Sequence, residues 1–236
     1  MKKSNRNDRR DYLAPDKYLS LRQIQKLRSL LRKEADAARR NGTSRGVVNE
    51  MIVELMLEGG LRAQEICLIQ IRDLPFYHGK DVLYVRKSKY EISRTVYVKS
   101  YLNNKLQEFV KGYRRSARPG SPLFVNERGN RIIHCKRHRN KKTTDYKEQS
   151  PRLAYHSLYG RIKRIGIRAG IPYLHPHVLR HTFATHLHAV EHDLLYVQQQ
   201  LGHSRPETTS RYAHVIDKAR IRQTERLYSD VGAGIC

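Results

Sequence analysis

Five short stretches of the chain hold side chains able to grip and attack a phosphodiester: Gly60-Leu61-Arg62-Ala63-Gln64-Glu65, Ser88-Lys89, His177-Val178-Leu179-Arg180-His181, Leu201-Gly202-His203 and Thr209-Ser210-Arg211-Tyr212. A phosphoryl group in transfer passes through a pentacoordinate arrangement whose non-bridging oxygens carry extra negative charge, and fixed cations stabilise it. Arginine suits that task better than lysine, because its planar fork donates two parallel hydrogen bonds and keeps its charge. Arg62 and Arg180 are the candidate clamp. Arg62 opens a helical stretch just after Gly59-Gly60, so backbone N–H groups would face the same anion. His177 and His203 are imidazoles able to donate or accept near neutral pH. Tyr212 offers a phenol oxygen, less than about 1 % ionised at neutral pH, which must be helped to attack.

Residue type alone selects none of these in a chain with 47 Lys plus Arg, 12 His and 15 Tyr. Placement does. Arg180 and His203 are 23 residues apart and His203 and Tyr212 nine. Tyr212 also stands in a polar, basic setting after Thr208-Thr209 that Tyr97, Tyr159 and Tyr173 lack.

Taken together and in this order, the stretches resemble the phage integrase, or tyrosine recombinase, family. Gly60 to Glu65 is similar to its first arginine box, His177 to Leu187 to its second box, Leu201-Gly202-His203 to its second histidine and Thr209 to Val215 to its nucleophile segment. The resemblance covers about residues 18 to 228, the family's catalytic domain. It implies six catalytic residues, Arg62, Lys89, His177, Arg180, His203 and Tyr212, with Tyr212 forming a 3′-phosphotyrosine and His177 placed to accept its proton. It implies a lysine, in the turn between two strands, that protonates the leaving 5′ oxygen. Lys89 matches the lambda-type pattern, and Lys87 matches other members. Glu65 and His181 would support these groups. The family needs no metal, cofactor or ATP, since bond energy is kept in the phosphotyrosine. The implied activity is integration, excision or inversion at double-stranded DNA sites by a homo-oligomer, a tetramer when two sites are paired. The N-terminal helical domain with which many members clamp DNA has no counterpart here, which fits a naturally short recombinase or a catalytic fragment of a longer one.

Composition agrees on the partner. With 47 Lys plus Arg against 22 Asp plus Glu, the formal net charge is +25, a surface that attracts polyanions. Ribosomal, nucleoid and regulatory proteins are equally basic, so charge alone assigns no chemistry. A non-catalytic DNA-binding protein would leave the six placed residues unexplained. A type IB topoisomerase could use the same residues by rejoining the original strand. No apolar run reaches about 18 residues, and the start Met1-Lys2-Lys3-Ser4-Asn5-Arg6 lacks a signal-peptide core, so no membrane partner and a cytoplasmic location are expected. Cys67, Cys135 and Cys236 form no CxxC pair, and Cys135 with His134 and His138 lacks a second pair to complete a zinc site. Asp73, Asp81, Glu91 and Asp145 are scattered among basic residues rather than clustered as a two-metal nuclease requires.

The elements that must position the site read as mainly α with a small antiparallel β-sheet, an α+β fold. Residues 1–16 form a basic flexible arm and 17–230 one catalytic domain. Ser20 with Gln23 makes a capping-box start for a helix carrying Leu21, Ile24, Leu27, Leu30 and Leu31 and ending at Asn41-Gly42. An amphipathic helix with Val47, Val48, Met51, Ile52, Leu55 and Met56 stops at Gly59-Gly60, and another runs from about 62 to 70. Residues 82–85 and 94–98 alternate as a hairpin, and a helix covers about 101–110. The stretch 111–142, with eleven Lys or Arg and one acid, Glu127, reads as a basic loop. Candidate DNA contacts are Arg86, Lys87, Arg94, Lys136, Arg137, Arg139, Lys141 and Lys142. Helices follow at 155–169, 178–188 and 193–201. A last one, about 214–228, either packs into a neighbouring subunit, as the resemblance implies, or folds back on its own domain.

Overall fold

The computed structural model describes residues 17–79, 81–86, 93–126, 152–191 and 194–202. Helix α1, Leu21–Arg40, begins with a reciprocal cap: the Ser20 hydroxyl accepts from the Gln23 N–H and the Gln23 side chain accepts from the Ser20 N–H. It buries Leu27, Leu31, Ala35 and Ala38 and stops at Asn41, as its sequence predicts.

Helix α2, Arg45–Gly59, is the central element, packed against α1 and against three helices that follow, α5 (Ser100–Tyr113), α6 (Tyr155–Ala169) and α7 (Pro176–Glu191). Its expected polar face is not solvated: Asn49, Glu50 and Glu54 are buried along with Met51, Ile52, Val53, Leu55 and Met56. A buried carboxylate is destabilising unless its charge is answered, and here every glutamate of the row is. Glu50 meets Arg39 at 3.2 Å and Lys105 at 2.9 Å. Glu54 takes Arg28 at 2.9 Å and a hydrogen bond from the Tyr101 hydroxyl at 3.2 Å, while Glu58 pairs with Arg28 and with Lys99 at 2.9 Å. Glutamates four apart resemble a wet face in sequence, but these tie α1, α2 and the start of α5 together.

Helix α3, Ala63–Leu68, ends before the expected Gln70, because the Asp73 carboxylate accepts from the Gln70 N–H at 2.8 Å and winds Ile71–Asp73 into a 3-10 turn. A short helix that the sequence reading omitted, α4 (Pro75–His78), starts on Pro75, whose fixed φ and missing N–H suit a first position. Strands β1, Val82–Val85, and β2, Arg94–Tyr97, pair antiparallel as expected, Val82 opposite Tyr97 and Val85 opposite Arg94. Helix α5 extends three residues past the expected end, α6 has the expected bounds, α7 is longer at both ends, and α8, Leu194–Leu201, completes the described chain. The architecture is mainly α with one small antiparallel sheet.

One expectation is corrected in part. Helix α5 takes in residues 111–113, and the loop 114–126 is solvated only in its first half, where Arg115, Ser116 and 118–120 are exposed. Farther on Leu123 and Phe124 are buried, the Leu123 N–H donates to Ile69 O at 2.9 Å, and the Leu153 N–H donates to Phe124 O at 3.0 Å. Counting charge hid an apolar Leu-Phe-Val run that the core captures. No described helix is long and apolar enough to cross a membrane.

Two junctions fix where the site forms. Helix α2 ends at Gly60 with φ +61°, and a Cβ there would lie 2.3 Å from Phe183 Cδ1, so only glycine lets the chain turn this close to α7. The entry to α1 is pinned on α7 as well, with the Leu19 N–H donating to Thr182 Oγ1 and His186 Nε2 meeting Leu19 O, both at 2.9 Å.

Candidate active site

Three guanidinium groups converge on one buried carboxylate. Glu65, 3 % exposed on α3, accepts from the Arg62 N–H at 2.7 Å and from Arg62 Nη1 at 3.2 Å. Arg94, at the start of β2, grips it with both arms of its fork, Nη1 to Oε1 at 2.6 Å and Nη2 to Oε2 at 3.1 Å. Arg180, on α7, lies 4.0 Å from the same carboxylate. Arg62 is the residue before α3, in extended conformation, and Glu65 three residues on caps that helix start by accepting from the Arg62 N–H.

Arg180 is held by backbone as well. Nη1 donates to Gly60 O at 2.6 Å and Nη2 to Leu201 O at 2.7 Å, joining the end of α2 to the end of α8. Its guanidinium is thereby fixed before any substrate arrives, the condition under which a charge stabilises a transition state without reorganising. Burial alone would raise the Glu65 pKa, but the hydrogen bonds and charge of Arg94, then Arg180 and the Arg62 N–H, hold it below the ordinary carboxylate value. One negative charge against three positive leaves this four-residue cluster with a surplus of two, a setting fit for a phosphate.

His177 stands at the solvent edge of this cluster, in the first turn of α7. Burial, then the charges of Arg180 and Arg62, push its pKa below the ordinary imidazole value, so the neutral base form dominates at pH 7. Beside it His175 packs edge-on at 6.0 Å and stacks on Tyr159 at 6.3 Å. His181 is half-buried on α7, one residue beyond Arg180.

Of the expected site residues, then, Arg62, Glu65, His177 and Arg180 come together. Lys89 and its alternative Lys87, His203 and Tyr212 lie outside the described residues, as do Lys136, Arg137, Arg139, Lys141 and Lys142, the 1–16 arm and the 214–228 helix. Two of the expected DNA contacts have partners within the protein. Arg86 pairs with the buried Asp73, its Nε donating to Oδ2 at 2.9 Å. Arg94 is taken up by Glu65 and by Gln200 O, which accepts from its Nε at 3.0 Å. The strand's alternation was the signal for Arg94, since it shares a face with the buried Val96 and Val98.

The model of the phage integrase family matches residues 17–219. The chain belongs to the phage integrase family. Its relatives include the tyrosine recombinase XerC of Bacillus subtilis strain 168, 29 % identical over 184 residues that cover 76 % of this chain and 53 % of that protein. The XerC of Haemophilus influenzae strain PittEE is 32 % identical over 165 residues, 70 % of this chain and 48 % of that protein. The chain spans about half the length of these curated relatives. Among solved structures, the XerA recombinase superposes with a TM-score of 0.63 at 26 % identity, covering 89 % of this chain and 64 % of that one. The XerH site-specific recombinase bound to its difH substrate gives 0.62 at 23 % identity over 89 % of this chain and 53 % of that one, a likeness of fold. In the phage integrase family, the described elements are those of the tyrosine recombinase catalytic-domain fold.

Proposed function

We propose that this member of the family is a tyrosine-type site-specific recombinase that cuts and rejoins double-stranded DNA through a 3′-phosphotyrosine at Tyr212. The observation that carries the reading is the convergence of Arg62 and Arg180, from distant parts of the chain, on Glu65 beside His177. In this reading the Tyr212 oxygen attacks phosphorus and the phenol proton passes to His177. The bond from phosphorus to the 5′ oxygen breaks, and Lys89, or Lys87 in its place, protonates that oxygen as it leaves. Arg62, Arg180 and His203 hold the non-bridging oxygens throughout. A free 5′-hydroxyl from the partner strand then attacks the phosphotyrosine and restores Tyr212. One phosphate ester is exchanged for another, so neither ATP nor a metal is called for.

DNA as partner is supported by the net charge of +25 and by relatives named recombinases. Lys136, Arg137, Arg139, Lys141 and Lys142 are its proposed phosphate and base contacts, and a homo-oligomer, tetrameric with two sites paired, is the proposed working form in the cytoplasm.

A nicked suicide substrate carrying the end sequence of the protein's own genetic element tests the reading on a denaturing gel. Wild type should give a covalent protein–DNA adduct, Tyr212→Phe should bind DNA without forming one, Arg180→Ala should abolish it, and EDTA should leave it unchanged. An adduct that persists in Tyr212→Phe, or that vanishes with EDTA, rejects the mechanism.

A further inference from the structure

We infer that Arg94 is a positioning residue for strand cleavage, one that stays off the DNA and sets the spacing of Arg62 and Arg180 by occupying Glu65. The inference rests on the proposed reading of the site as a tyrosine recombinase centre.

The first argument is access. The Arg94 side chain is 10 % exposed, on the strand face it shares with the buried Val96 and Val98, and all three of its nitrogens donate inward. These bonds use three of the five guanidinium N–H groups, and a phosphate could reach only the two left over, on a side chain that is 10 % exposed.

The second is fit. Gly202 follows α8 with φ +64°, and a Cβ there would lie 2.8 Å from Arg94 Cδ and 2.9 Å from Nη1. The end of α8 is therefore seated directly on this guanidinium, against which there is no room for a larger residue.

The third is electrostatic. A carboxylate pairs most strongly with the cation that meets it in a two-pronged geometry. Arg94 takes both oxygens of Glu65, leaving Arg62 Nη1 at 3.2 Å and Arg180 Nη1 at the looser 4.0 Å. With Arg94 gone, the same negative charge falls on Arg62 and Arg180, draws them inward and lowers the cluster's surplus from two charges to one. Arg94 thus satisfies Glu65 so that the other two arginines can be held near it without being captured by it. It also links β2 and α3 to the end of α8, whose Leu201 carbonyl holds Arg180 and which leads toward His203 in sequence.

The test compares Arg94→Met, Arg94→Lys, Glu65→Gln and the double variant Glu65→Gln/Arg94→Met in full-length protein. Three quantities are read: the single-turnover rate of adduct formation at saturating DNA, the DNA affinity across a salt series, and the melting temperature. Arg94→Met should slow adduct formation about 10- to 100-fold, the usual effect of losing a residue that orients a catalytic group. Arg94→Lys, which keeps the charge and one hydrogen bond, should lose less. Affinity and its salt slope should stay at wild-type values, because no phosphate contact is lost. The double variant restores the surplus of two charges and should lose no more than Glu65→Gln alone, a non-additivity expected of groups acting as one unit. Three outcomes overturn the inference: a wild-type rate in Arg94→Met, a salt slope reduced by about one, the mark of a lost phosphate contact, or losses that multiply in the double variant. Should Arg94→Met fail to fold, Arg94→Lys and the double variant carry the same comparisons. Absence of an adduct in the wild type would instead strike the underlying reading, a separate result that involves no substitution at Arg94.

Discussion

His177 shows how position sets the chemistry of a common side chain. Burial opposes its charged form, and so do Arg180 and Arg62, and all three act in the same direction. Its proton is therefore lost at lower pH than from an ordinary imidazole, which favours the base form at neutral pH. An NMR titration of the His177 ring, assigned with His177→Gln, should give a midpoint below 6.5 in the free protein. Arg180→Ala should move that midpoint upward, because removing a positive neighbour favours the imidazolium; a midpoint at or above 6.5 in wild type contradicts the geometry. Arg62, Glu65, His177 and Arg180 were legible because their spacing carries the motif. Arg94 was weighed by type alone, as a DNA contact, and its strand alternation, which points to the inward partners Glu65 and Gln200, was left out. Nothing in a sequence marks the Gly60 and Leu201 carbonyls that hold Arg180, since backbone acceptors have no residue type.

At the scale of elements, the meeting of α2 with α7 decides whether the pocket exists. Gly60 there adopts a left-handed conformation, faces Phe183 with no room for a Cβ, and gives its carbonyl to Arg180. Gly60→Ala should cost about 1 kcal/mol for the backbone and roughly 1–3 more for the overlap with Phe183. The melting temperature should fall by several degrees, and adduct formation measured well below it should fall as well, because the Arg180 anchor moves. Gly60→Ala combined with Phe183→Leu should recover part of the melting temperature; an unchanged melting curve in Gly60→Ala alone would refute the crowding. Helix ends marked by glycine or a cap, at Ser20, Asn41 and Gly60, were readable from sequence because local chemistry fixes them. Those set by distant partners were not. The Glu50, Glu54 and Glu58 row needed Arg28, Arg39, Lys99 and Lys105 to be in view, and Leu123-Phe124 needed the strand-like contacts to Ile69 and Leu153.

At the scale of the whole molecule, the most deeply placed acids among the described residues are all answered. Glu50, Glu54, Glu58, Glu65 and Asp73 each hold an arginine or lysine as internal fastening, while Glu34 with Arg168 and Asp36 with Arg39 pair near the surface. Against a net charge of +25, that use leaves the remaining cations to set the outward field. Binding to duplex DNA should then follow counterion release, with affinity falling about a thousandfold or more between 50 and 200 mM salt if about six phosphates are neutralised. Which cations supply that slope separates the two kinds of arginine in this chain. Exchanging Lys136, Arg137, Arg139, Lys141 and Lys142 together for glutamine should flatten the slope by several units, each phosphate contact being worth about 0.9. Arg86→Gln should leave it unchanged, because the charge of that guanidinium is already answered by the buried Asp73 carboxylate. A salt series by fluorescence anisotropy decides between them: a flattened slope in Arg86→Gln, or an unchanged one in the fivefold variant, would mean that the polyanion is gripped elsewhere than this charge distribution requires.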